Sequence, residues 1–161
     1  MMPARAGQKG VHMNKTGLFV LAAAGFALGL APALAQAPEY KLVGTMSQLM
    51  ISVIYPTSDA IFYVDRDEPK TDVQWNTLAN QALILAESGN LLLMPGRARD
   101  DANWVVDSKI MIDAGFAAYK AARAKDIEGV RAVNDKLYAS CVTCHQQYRT
   151  NYPGARKPAA K

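Results

Sequence analysis

The sequence predicts an all-α protein, an antiparallel four-helix bundle that follows a cleavable N-terminal segment. Three observations carry this. Apolar residues recur at three- and four-residue steps in four stretches, the links between the stretches are short and rich in breakers, and period-two β-branched alternation is almost absent. Helices of this kind bury their stripes by packing on one another, and short links make neighbours antiparallel. The 161 residues are 50% hydrophobic and 20% charged, which supports one packed core and excludes a disordered chain. Two cysteines exclude both a multiply disulfide-stapled scaffold and a four-cysteine zinc site.

Residues 1–35 read as an export signal. Lys15 precedes an uncharged apolar run over residues 18–30, Pro32 breaks it, and Ala33-Leu34-Ala35 is a small-x-small cleavage pattern. The run is shorter than the roughly 20 residues that span a bilayer, so no stable membrane anchor is expected. Met13 gives the shorter basic leader, which makes residues 1–12 a candidate start-site overcall. Cleavage after Ala35 delivers a periplasmic, oxidising setting. From Gln36 onward there are 15 basic and 14 acidic residues, so the formal charge of +4 resides largely in the leader and nucleic acid is not an expected partner.

Residues 36–152 form the expected domain and residues 153–161 a disordered tail. The first helix covers residues 40–55, with Leu42, Met46, Leu49, Met50, Val53 and Ile54 as its stripe. Pro56 should kink or end it, since proline lacks the amide hydrogen and collides with the preceding turn. Apolar residues resume at Ala60, Ile61 and Val64. A capping box, Thr71-x-x-Gln74, opens the second helix. Its stripe is Trp75, Leu78, Ala79, Ala82, Leu85 and Ala86, and Gly89-Asn90 is the expected C-cap. A greasy link over residues 91–94 should pack against an end of the core. Asp100 or Asp101 caps the third helix, whose stripe is Trp104, Ser108, Met111, Gly115, Ala118 and Ala122. Asp126 begins the fourth, with Glu128 in its first turn, and Pro153-Gly154 stops it.

The fourth helix carries the chemistry. Cys141-Val142-Thr143-Cys144-His145 is a C-x-x-C-H motif, the pattern of covalent haem attachment through two thioethers with the adjacent imidazole as an iron ligand. At about 100° per residue, Cys144 and His145 fall roughly 60° and 40° to either side of Cys141, so all three share one face. Val130, Asn134, Leu137, Tyr138 and Tyr148 share it too. Other readings of the two cysteines are a thioredoxin-like redox pair, which normally opens a helix after a strand, and a structural disulfide, which fits i,i+3 helical geometry poorly. Once the leader with His12 is removed, zinc would need a fourth ligand that no further cysteine or histidine supplies. No nucleophile elbow or phosphate loop points to an enzyme.

With this motif near the C-terminus of four predicted helices, the mature chain resembles the class II c-type cytochromes, the cytochrome c-prime and low-spin relatives family. Cys141, Cys144 and His145 match the family motif, and Tyr148-Arg149 matches the aromatic–basic pair that follows it. The resemblance implies one covalent haem c with its iron, a periplasmic location and homodimers through the first two helices. It implies either electron exchange with redox partner proteins or binding of small gases such as NO and CO.

The sixth iron ligand separates those roles. Once the leader is removed His12 is gone, so His145 is the sole histidine and a methionine thioether is the natural candidate, from Met46, Met50, Met94 or Met111. The family places its distal residue on the first helix, and alignment on Leu49-Met50 puts Met50 there. Met46 is the rival, one turn earlier, where the family often has a base. Arg149, one turn after His145, corresponds to a base beside the proximal imidazole and is a haem-edge candidate; it also reads as a solvated cation suited to a helix C-terminus. Arg97 and Arg99 are candidates to pair with haem propionates, or belong to a solvated turn.

Overall fold

The computed structural model describes residues 39–99, 102–149 and 151–154. The leader with its cleavage site, the Asp100/Asp101 cap and tail residues 155–161 lie outside these. Among the described residues every regular element is helical, as expected. The helix α1 (Met46–Leu49) continues through a π-helical segment (Met50–Ile54) into α2 (Tyr55–Phe62). There follow α3 (Asp72–Leu92), α4 (Ala102–Arg123), α5 (Ile127–Arg131) and α6 (Asn134–Tyr148).

The first helix starts at Met46, not near Tyr40, because Thr45 caps it. The Thr45 hydroxyl oxygen accepts from the Gln48 amide at 3.2 Å, while Gln48 Oε1 accepts from the Thr45 amide at 2.9 Å. The same T-x-x-Q box is present, as expected, at Thr71–Gln74. Pro56 does not end the helix. The turn before it widens instead, with the Tyr55 amide donating to the Met50 carbonyl five residues back. A looser turn relieves the clash between the proline ring and the carbonyl four residues earlier. The Thr57 hydroxyl donates to the Val53 and Ile54 carbonyls at 2.7 and 3.0 Å, which ties the junction together.

Helices α3 and α4 form an antiparallel hairpin. Trp104 Nε1 donates to the Leu92 carbonyl at one end, and Arg123 and Lys125 reach Asn76 and Asp72 at the other. The whole expected α4 stripe is buried, as is that of α3 apart from half-buried Trp75. The two backbones approach so closely that a Cβ on Gly115 would lie 2.8 Å from the Ala86 amide nitrogen. Gly89 is not the C-cap expected of it. It is buried inside α3, where a Cβ would strike the Ile112 side chain, and the helix runs on to Leu92. Part of the greasy link is therefore helical, and buried Leu92 joins the core.

The expected fourth helix is two helices. It breaks at Ala132–Val133, and α6 ends at Tyr148, before Pro153-Gly154. Asp126 caps α5 as expected, accepting from the Gly129 amide at 2.9 Å. No proline or glycine marks the break. Contacts made elsewhere fix it. Arg131 pairs with Asp65 and Glu68 of the α2–α3 link as well as with Glu128, and Asn134 Nδ2 donates to the Phe62 carbonyl at 3.5 Å. Val130 and Leu137, fully buried, anchor the two pieces in one core with Leu49, Ile61, Leu85, Met111 and Ala118.

Candidate functional site

Cys141, Cys144 and His145 all lie on α6, and all three line a cavity of about 310 Å³. Its far wall comes from other elements. Met50, Ile51 and Ile54 contribute from the π segment, Ser58 and Phe62 from α2, Leu92 from α3, and Asp107, Ser108 and Met111 from α4. Exposed Tyr55 and Tyr138 stand at its rim. A second cavity of about 420 Å³ shares Met50, Ile51, Cys144, His145 and Arg149 with the first and adds Met46, Arg99, Trp104 and Tyr148. The Met50 and His145 side chains therefore border both hollows.

The electrostatics define the state of each group. Burial pushes the Cys141 thiol up, and burial together with the Asp107 charge pushes Cys144 up to about 12. The two are not joined in a disulfide. His145 moves the other way, held below its ordinary range by burial and by the charge of Arg149. Its imidazole is neutral at neutral pH, the form that ligates metal. The Tyr152 ring lies 5.3 Å from that of His145, and the Arg149 guanidinium lies 6.0 Å over the same tyrosine.

These features fit a covalently held haem. The thiols are uncrosslinked and one helical turn apart, the imidazole is neutral, a thioether from another helix shares the cavity, and the lining is mostly apolar. They fit a reactive redox pair poorly, because such pairs work through a depressed thiol pKa. Among the described residues no cluster of three or more histidine, cysteine, aspartate or glutamate side chains could hold a bare metal ion.

The structure brings Met46, Met50, Met111, Arg99 and Arg149 to this region, whereas Met94, Arg97 and Trp75 line neither cavity. Met50 and Met46 are both half-buried; Met50 lines both cavities and Met46 only the second. Arg149 is exposed and lines both, with Nε donating to Asn151 Oδ1 at 3.2 Å. Arg99 lines the second cavity and lies 6.0 Å over Trp104. Arg97 is engaged elsewhere, donating to the Gly44 carbonyl at 3.2 Å. Trp104 packs edge-on against Tyr148 at 4.9 Å, whereas Trp75 is away from the site.

One site residue escaped the sequence reading. Asp107 is buried, lines the first cavity and accepts from the Thr143 hydroxyl at 2.7 Å. The signal was present: Trp104, Asp107 and Met111 follow one another at steps of three and four, so an acid interrupts the inner stripe of α4.

Comparison with protein-family models, with curated proteins and with solved structures gives no match for this chain. No described helix is long and apolar enough to cross a membrane.

Proposed function

We propose that this chain is an exported monohaem c-type cytochrome, built as an antiparallel four-helix bundle of the class II kind, that passes single electrons between redox proteins. The observation that carries the reading is the joint lining of one apolar cavity by Cys141, Cys144, His145 and Met50. Cys141 and Cys144 would hold the porphyrin covalently, as thioethers. His145 and Met50 would ligate the iron, with Met46 the rival to Met50. Bound haem supplies a one-electron Fe(III)/Fe(II) couple, and a methionine ligand raises its potential. Nothing is bonded or cleaved in a substrate, so the role is carriage and not catalysis.

The chain's own residues would serve that role in distinct ways. Ile54, Phe62, Leu92 and Met111 exclude water from the porphyrin face. Arg99 and Arg149 at the second cavity offer guanidinium groups to propionates, where bidentate pairing is strong. Exposed Ile51, Tyr55 and Tyr138 give a partner an apolar approach to the haem edge. A groove lined by Val53, Leu83, Ile84 and Leu91 supports a homodimer through the first two helical passes. The apolar lining also suits NO or CO should Met50 leave the iron open, which is the second reading.

Protein from cells competent in haem attachment, reduced with dithionite, should show a haem c band that survives acid–acetone extraction. With Met50 on the iron, carbon monoxide binds slowly and Met50→Ala gives a high-spin, readily ligated form. Rapid binding by the unmutated protein would favour the gas reading. A low-spin spectrum unchanged in Met50→Ala would move the ligand to Met46, with Met46→Ala as its check.

A further inference from the structure

Asp107 is the one acid among the described residues that line the apolar cavity, and its two oxygens differ. Oδ1 accepts from the hydroxyl of Thr143, the second spacer of the C-x-x-C-H motif, at 2.7 Å. That hydroxyl also lies 2.9 Å from the Ala139 carbonyl. Oδ2 is buried and has no hydrogen-bond partner, in a side chain only 8% exposed. A carboxylate oxygen sealed from water without a partner is costly and requires a structural or functional reason. The guanidinium sharing the cavity, Arg149, is bonded to Asn151 and stacked over Tyr152. Among the described residues no salt bridge reaches Asp107, which lines the cavity beside the attachment cysteines.

We propose that Asp107 is a positioning and potential-setting residue of the haem site. Its Oδ1 ties the attachment motif on α6 to α4, and its carboxylate, with Oδ2 buried and unpartnered, biases the iron toward the ferric state. This rests on the haem reading above. The iron–porphyrin core gains one unit of positive charge on oxidation, so a fixed carboxylate behind a low-dielectric wall stabilises the oxidised form. The same field acts on the thiols before attachment, where the Asp107 charge raises both. At an effective dielectric of about 20, a unit charge about 12 Å from any redox centre weights its one-electron equilibrium by about tenfold.

The test is redox titration of the haem-loaded protein and of Asp107→Asn, which keeps an acceptor for Thr143 and removes the charge. The expected result is an unchanged axial-ligand spectrum with the ferrous-to-ferric ratio raised about tenfold at a given poise, a midpoint rise of about 59 mV. A loaded variant with the midpoint of the unmutated protein, or one whose ligation has changed, overturns the proposal. Should Asp107→Asn fail to load, Thr143→Val keeps the charge and removes the hydroxyl that damps it. Its midpoint should then fall, and an unmoved or raised value overturns the proposal. An unmutated chain that carries no haem c would instead refute the functional reading itself, which the spectrum reveals before any titration.

Discussion

The reactivity of Cys144 in the haem-free chain separates a haem-attachment site from a redox pair. The thiol is raised from an ordinary 9.0 to about 12. At pH 8 the ordinary thiol is about one-tenth thiolate and the buried one about a ten-thousandth, a loss of roughly a thousandfold in reactive species. The more basic thiolate is intrinsically a better nucleophile. With a Brønsted coefficient of about 0.4–0.5 over three pKa units it regains roughly 15–30-fold. The net expectation is alkylation about 30–60-fold slower than for the same cysteine in the unfolded chain. The assay is timed iodoacetamide labelling at pH 8 with and without urea, read by peptide mass spectrometry. Labelling of folded Cys144 at or above the unfolded rate would refute the reasoning, since only a depressed thiol pKa produces it, and would return the motif to thiol–disulfide exchange.

Two further outcomes follow from the same structure. Gly115→Val should destabilise the fold by about 1–3 kcal/mol, because the obstructing group is the Ala86 backbone and cannot rotate away; thermal unfolding would show it, and an unshifted Tm would contradict the close helix approach. Stability of the thiol form should depend on pH at both ends. The raised Cys144 thiol contributes stability that is complete below about 9 and lost as pH rises toward about 12, because the unfolded chain releases its proton first. The lowered His145 contributes stability present above 6.5 and lost as pH falls below it, because the unfolded chain takes up the proton first. Denaturant titrations at stepped pH would check both signs, and His145→Gln should flatten the acid limb.

Much of the fold was legible because it rests on local chemistry. The Thr71–Gln74 box and the small residues of the α4 stripe are determined by a few neighbours, and both stand where the pattern put them. The Thr45–Gln48 box was equally readable, and it moves the start of the first helix by a full turn and more. What was not legible depends on distant groups. Gly89 looks like a helix stop, yet its missing side chain makes room for Ile112 on another helix. The break at Ala132–Val133 has no local breaker; Arg131 and Asn134 reach residues more than sixty positions earlier. Pro56 announced a disturbance without specifying that a widened turn would absorb it. At the site, helical geometry alone places Cys141, Cys144 and His145 on one face. The partnership of Thr143 with Asp107, 36 residues apart, emerges only when α4 and α6 pack.

The intact mass of the protein, taken under denaturing and reducing conditions from cells that mature c-type cytochromes, is the decisive number. A chain beginning at Gln36 and heavier by one haem, with the added mass on the peptide holding Cys141 and Cys144, is the expected result. A colourless chain of bare polypeptide mass, with two titratable thiols or a disulfide at those positions, would contradict it.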